Sequence, residues 1–159
     1  MKKSIELSFG EAFQKAASYC AYQERCKAEV KQKLSKLELE EDFTEKIILK
    51  LEDENYINEE RFCSEFVRGK LYGKSWGKQK IKAALQQKQI SRDLINNLLD
   101  QIDEEDYQEI LKKVVDKKKN TLDPIDNPAK KNKLINFAVS KGFEYGKVLE
   151  LVNEEDRSY

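Results

Sequence analysis

Between Phe66 and Arg92 the chain carries eight basic side chains and no aspartate or glutamate: Arg68, Lys70, Lys74, Lys78, Lys80, Lys82, Lys88 and Arg92. Cations in a run without internal acids do one kind of chemistry, which is to hold an anionic partner, either phosphates or acidic protein. The single tryptophan, Trp76, lies inside the run between Gly73 and Gly77. An indole in that setting serves as a stacking platform, an interface anchor or a plug between helices. Acidic clusters flank the run: Glu52, Asp53, Glu54, Glu59 and Glu60 before it, then Asp103, Glu104, Glu105 and Asp106 after it. A second basic run, Lys112, Lys113, Lys117, Lys118 and Lys119, offers another contact and is also what an ordinary exposed helix face looks like. The whole chain is neutral, with 30 basic and 30 acidic residues, so any attraction has to be local.

Other chemistries have less to work with. There is no histidine, hence neither the commonest general base nor the commonest metal ligand. Cys20, Cys26 and Cys63 are odd in number and form no C-x-x-C pair, which speaks against a disulfide framework or a zinc module. Gly69, Gly73 and Gly77 are isolated and do not make a phosphate loop. The expectation is a protein that is not an enzyme and uses no metal or cofactor. No stretch approaches the ~20 apolar residues of a membrane span, and Met-Lys-Lys-Ser-Ile-Glu-Leu lacks the apolar core of a signal peptide. A cytoplasmic protein with reduced thiols and no membrane contact is therefore expected.

The elements that must position the cations read as helices. Period-2 alternation is absent and Lys, Glu, Leu, Ala and Gln abound, all favourable to helix. Ser8 with Glu11 has the form of a capping box, and Asn58, Ser91 and Asp103 each precede a charged first turn. Asn127-Pro128 places a cap before a first-turn proline, and Gly142 sits where a helix C-terminal glycine belongs. Helices are expected near 9–23, 26–37, 41–54, 59–72, 76–88, 92–102, 104–119, 128–141 and 144–153, with Asn120–Asn127 as the one clear internal loop. In the basic helix, Lys78 and Lys82 share a face that Lys74 extends, while Ile81 and Leu85 turn inward.

Shifted by 51 residues, Val30, Leu34, Leu39, Phe43, Ile47, Ile48 and Leu51 fall on Ile81, Leu85, Ile90, Leu94, Leu98, Leu99 and Ile102, all apolar. A further shift of 53 carries Ile81, Leu85, Ile90, Ile95, Leu98 and Leu99 onto Leu134, Ala138, Phe143, Val148, Leu151 and Val152, and fails at Lys147 opposite Leu94. The pattern describes an all-α chain of three tandem three-helix repeats, 1–56, 57–102 and 103–159. A charged fraction of 38% suits an elongated, curved stack with a thin core.

The middle repeat reads Asn-Tyr-Ile-Asn-Glu-Glu-Arg-Phe over 55–62, then Phe66-Val67-Arg68-Gly69-Lys70 and Lys74-Ser75-Trp76-Gly77-Lys78-Gln79-Lys80-Ile81-Lys82. This order resembles the RecX family of bacterial regulatory proteins, which modulate the RecA recombinase. Tyr19-Cys20, Glu24-Arg25-Cys26, Glu29-Val30 and Lys33-Leu34 resemble the family's opening repeat. Asn132, Leu134, Phe137 and the Lys141-Gly142-Phe143 turn resemble its third more weakly. The departures are Cys26 in place of a Ser or Thr cap, and Glu38 and Gln89 where a glycine is usual.

The resemblance implies a regulator of DNA repair, recombination and the SOS response. It would bind the RecA–DNA filament and modulate the recombinase, with inhibition the expected direction, and would work as a monomer. Single- or double-stranded DNA, held through phosphates, is a further candidate partner. The expected filament- or DNA-binding residues are Arg68, Lys70, Lys74, Trp76, Lys78, Lys80, Lys82 and Lys88. The alternatives are a stand-alone helix-turn-helix DNA-binding protein and a helical adaptor for an unrelated protein.

Overall fold

The structure is a computed structural model that describes residues 7–40, 42–122 and 128–157, with side chains through Glu154. Nine helices occupy the described residues: α1 (Phe9–Tyr22), α2 (Lys27–Ser35), α3 (Phe43–Asp53), α4 (Glu59–Arg68), α5 (Lys78–Gln87), α6 (Arg92–Asp100), α7 (Glu104–Lys119), α8 (Pro128–Ser140) and α9 (Tyr145–Arg157). No described helix is long and apolar enough to cross a membrane.

Local chemistry sets the helix starts. The Ser8 hydroxyl accepts from the Glu11 N–H at 3.2 Å. Asn58 Oδ1 accepts from Arg61 at 2.9 Å, Ser91 Oγ from Leu94 at 3.3 Å and Asp103 Oδ1 from Asp106 at 3.0 Å. Each such bond satisfies one of the free N–H groups of a first turn. Cys26 caps α2 despite being a poor acceptor, because the Glu29 carboxylate takes the Cys26 N–H at 3.2 Å. The expected cap at Asn127 lies outside the described residues, as does Glu41 at the start of the helix expected over 41–54.

Helix ends hold two surprises. The helix expected over 59–72 stops being α-helical at Arg68 and continues as a π-helical turn, Gly69–Gly73, bounded by its two glycines. Gln89 adopts φ 62°, the left-handed conformation that a glycine takes without penalty; Glu38 does not share it.

The fold divides into two compact units with their border inside α4. One runs to Glu65 and includes Lys88–Ile90; the other comprises Phe66–Gln87 and the chain from Ser91 onward. In the first unit α1, α2 and α3 pack on one another. Ala12, Ala16, Ala17, Val30, Leu34, Ile47 and Leu51 form its centre, with Phe9, Phe13 and Phe43 half-buried around them. Cys20, Cys26 and Cys63 are all buried, reduced and apolar in role.

In the second unit the π-turn packs on α5, α5 on α6, α7 on α8, and α8 on α9. Residues matched by the internal repeat, such as Ile81, Leu85, Ile95 and Leu99, then Leu134, Ala138, Phe143, Val148 and Val152, are its buried centre. The periodicity of the sequence thus marks most of the buried positions, while Leu39, Phe43, Leu94, Leu98, Ile102 and Leu151 are half-buried.

Candidate functional site

The second unit holds most of the basic run, and its geometry begins where two helix ends meet. The free N–H groups at the start of α5 find acceptors on other elements. Gly77 N–H donates to the Lys141 carbonyl at 2.8 Å, and Gln79 N–H donates to the Gly142 carbonyl at 2.9 Å. Between them, Lys78 N–H donates to the Tyr107 hydroxyl at 3.0 Å. The positive end of α5 is thus capped by the negative end of α8.

Only glycine allows this approach. A Cβ on Gly77 would lie 2.3 Å from the Gly142 carbonyl carbon, and one on Gly142 would lie 2.4 Å from Lys80 Cβ. Gly142 also takes φ 102° and ends α8, with Phe143 N–H returning to the Ala138 carbonyl. The sequence-level reading of Gly142 as a helix terminator holds, with a second role in close packing.

Tyr107 anchors the junction from α7. Its ring is fully buried, 5.4 Å from that of Phe143, and its hydroxyl donates to Glu144 Oε1 at 2.5 Å. Burial, then the bond to Glu144, push the phenol well above its ordinary range, so it stays protonated. The ammonium groups of Lys78 and Lys147 lie over the ring at 4.8 and 5.1 Å, and Lys147 also pairs with Glu104 at 2.6 Å.

With this frame in place, the eight expected residues separate. Lys78 is drawn onto Tyr107, away from an outward face shared with Lys82, because the buried ring and nearby Glu104 attract it. Lys88 pairs with Glu29 at 3.4 Å in the first unit. Arg68 is exposed at the end of α4, and Lys82 is half-buried on α5. Lys70, Trp76 and Lys80 do converge, and Lys74 contributes its backbone carbonyl beside them.

Lys70 and Lys80 place their ammonium groups 4.7 and 4.5 Å from the centre of the half-buried indole. The π-turn arranges this, since the Lys70 carbonyl receives the Trp76 N–H at 2.9 Å. Trp76 is thereby a support for cations at the junction.

Two further lysines join from α7 and from the turn after α8. Lys141 Nζ donates to the Lys74 carbonyl at 2.9 Å. Burial lowers the Lys141 pKa first, and the charges of Lys80, Lys117 and Lys74 lower it further. Lys118, beside Lys117, sets its ammonium 4.8 Å from the Phe137 ring, fixing the last turn of α7 against α8. Lys141 is 67 residues from Lys74, and nothing in linear spacing unites them. The second basic run pointed to Lys117; only the tertiary fold points to Lys141.

The first unit offers a different feature, a groove of about 640 Å³ between α1 and α2 lined by Ala16, Tyr19, Leu34 and Leu37 with Glu11, Lys15 and Lys33 among its polar residues. Arg25 stacks 3.8 Å from the Tyr19 ring beside it. Opposite charges mix there, so it lacks the single sign of the lysine cluster. Among the described residues no group of three or more Cys, Asp or Glu is placed to hold a metal ion.

Short helical triplets with capped starts, carrying cations around a helix-end junction, define a class of all-helical proteins built from three-helix modules. Comparison with known proteins gives the family. Residues 12–51, 58–99 and 104–152 match RecX, first, second and third three-helix domain respectively. The chain is 34% identical over 128 residues to Regulatory protein RecX of Clostridium botulinum, covering 79% of this chain and 59% of that protein. Against the Streptococcus uberis protein of the same name it is 30% identical over 146 residues, covering 91% of this chain and 55% of the relative. The chain therefore spans somewhat over half the length of these curated relatives.

The crystal structure of RecX from Lactobacillus salivarius superimposes with a TM-score of 0.83 at 27% identity, covering 93% of this chain and 96% of that one. A second crystal structure, of a regulatory protein RecX, gives 0.79 at 25% identity, covering 97% and 81%. The chain belongs to the RecX family of regulatory proteins.

Proposed function

We propose that this chain binds the RecA–DNA filament in the cytoplasm and modulates the recombinase, with inhibition as the direction, in DNA repair and recombination. Family membership supports a regulatory role. The observation that carries the contact is the gathering of Lys70 and Lys80 on the Trp76 indole, with Lys141 tied to the Lys74 carbonyl beside the α5–α8 junction. The division into modules 1–56, 57–102 and 103–159 belongs to the same reading, with the middle and third modules building the contact surface together. Arg68 and Lys82 extend that surface, while Lys78 and Lys88 act mainly within the fold. The mechanism is binding: occupancy of the filament alters its assembly or turnover, and this chain performs no bond chemistry.

The test follows ATP turnover by purified recombinase on single-stranded DNA as the protein is titrated in. Wild type is expected to slow turnover at less than one molecule per recombinase protomer, and Lys80→Glu/Lys141→Glu to lose the effect while keeping its helical circular dichroism. No change in turnover and no association with filaments, together with tight binding to naked duplex, would establish the helix-turn-helix alternative instead.

A further inference from the structure

We propose that the groove between α1 and α2 docks an amphipathic helix of a protein partner, one whose apolar ridge is bordered by carboxylates. The proposal concerns the first unit alone and stands whether or not the recombinase supplies that helix.

Helix spacing gives the groove its shape. Its lining residues recur every three to four positions along α1, from Glu11 to Tyr19, and again along α2, from Lys33 to Leu37. At 1.5 Å per residue the α1 bank is about 12 Å long, or roughly two helical turns. Ala16 and Leu34 in the floor are buried and Tyr19 and Leu37 half-buried, whereas Lys15, Ser18 and Lys33 on the banks are exposed. A trough of about 640 Å³, open along its length, accepts a row of side chains spaced i, i+3, i+4 and i+7. A small molecule there would leave too much of its surface in water.

Charge then selects the kind of helix. The one carboxylate in the lining is already engaged: Glu11 Oε1 accepts the Ser8 hydroxyl at 3.0 Å, while the Glu11 N–H donates to Ser8 Oγ at 3.2 Å. Lys15 on α1 and Lys33 on α2 have no carboxylate partner among the described residues. A third cation stands beside Tyr19. The Arg25 guanidinium lies 3.8 Å from the Tyr19 ring, and its Nε donates to the Tyr19 carbonyl at 3.2 Å. Stacking and that bond fix the plane of the guanidinium, and its two Nη nitrogens have no partner among the described residues. Such a fork matches a carboxylate. The Lys33 ammonium sits 5.4 Å from the centre of the same ring. Three cations thus border an apolar floor, so a helix flanked by acids is attracted and one flanked by lysines is repelled. Tyrosine and arginine are also the residue types in which binding hot spots are enriched.

The experiment uses the full chain and a fluorescein-labelled helical peptide whose leucines at i, i+3, i+4 and i+7 are bordered by glutamates, read by anisotropy. Wild type is expected to bind it, and Lys15→Glu/Lys33→Glu to bind about tenfold more weakly or worse. Lys31→Glu/Lys46→Glu makes the same change in net charge at exposed positions of α2 and α3 outside the groove, and should stay within about twofold of wild type. Serine in place of the peptide's leucines should weaken binding about tenfold or more. Far-ultraviolet circular dichroism shows that each variant is folded.

No binding by wild type overturns the proposal. So does equal loss in the two charge reversals, equal binding by wild type and Lys15→Glu/Lys33→Glu, or undiminished binding of the serine peptide. Sedimentation as a dimer that Lys15→Glu/Lys33→Glu abolishes, with no peptide bound, would assign the groove to a second copy of this chain. Flotation with phosphatidylglycerol vesicles lost in the same variant, again with no peptide bound, would assign it to a lipid surface. Either result overturns the partner helix.

Discussion

Replacing Gly77 with alanine tests the helix-end junction with one methyl group. The added Cβ would meet three backbone atoms, Gly142 C and Phe143 N at 2.3 Å and Gly142 O at 2.4 Å, and backbone cannot swing aside as a side-chain tip can. Gly77 does not share the positive φ of Gly142, so the perturbation is steric and carries no conformational penalty of its own.

Relief requires α5 to withdraw from α8. That loosens two hydrogen bonds, Gly77 to Lys141 at 2.8 Å and Gln79 to Gly142 at 2.9 Å. Each is worth about 1 kcal/mol, and more if a buried group is left without a partner. Alanine returns about 0.4–1 kcal/mol by restricting the unfolded chain. The net expectation is a loss of about 1–2 kcal/mol, or a melting temperature lower by roughly 3–6 °C for a chain of this size.

The assay is thermal unfolding followed by the emission of Trp76, the sole tryptophan and next to the substituted residue. The comparison is Gly146→Ala in α9, where an added Cβ meets nothing within 4 Å and helix propensity favours alanine. Gly77→Ala melting within a degree of wild type, with unchanged emission, would refute the close approach.

Tyr107→Phe should cost about 1–3 kcal/mol, because the Lys78 N–H loses its acceptor and Glu144 its donor while the ring's packing is kept; urea unfolding checks this, and a loss below 0.5 kcal/mol would show that water replaces the hydroxyl. In the first unit, burial holds the Cys20 and Cys63 thiols up at about 11 and about 12 against an ordinary 9.0. Below pH 9 both states keep these protons, and above it the unfolded chain releases them first, so stability should fall as pH rises from 9 towards 12. Urea midpoints measured at neutral pH and at about pH 10.5 should show that fall. Cys63→Ala should flatten it, whereas an identical pH slope in that variant would remove the thiol from the account.

Caps and cores were legible in the sequence because both are local. A serine, asparagine or aspartate three residues before a free N–H can reach it whatever the rest of the chain does, as Ser8, Asn58, Ser91 and Asp103 show. Burial of Ile81, Leu85, Leu134 and Val148 follows from helical period alone. The site was less legible. Lys78 and Lys82 share a helix face by spacing, but a ring from α7, 29 residues onward, decides where Lys78 goes. The π-turn that brings Lys70 to Trp76 has no period to betray it, only two glycines that also suit an ordinary loop. Lys141 enters through a backbone contact that no pairwise pattern encodes.

The glycine pair and the lysine cluster are one device. The contact that demands glycine at 77 and 142 is the contact that brings Lys74 and Lys80 beside Lys141. A surface that needed lysine only for solubility would lie at lower energy with those charges dispersed, since burial and three like neighbours already disfavour the ammonium of Lys141. The fold instead holds the Lys141 ammonium on the Lys74 carbonyl and the Lys80 ammonium over the Trp76 indole. Holding repulsive groups together lowers stability slightly, by the repulsion that a neutralising partner would relieve. Under the proposed function, loss of the glycine contact should therefore weaken the effect on recombinase turnover even with every lysine present, linking the melting of Gly77→Ala to that readout.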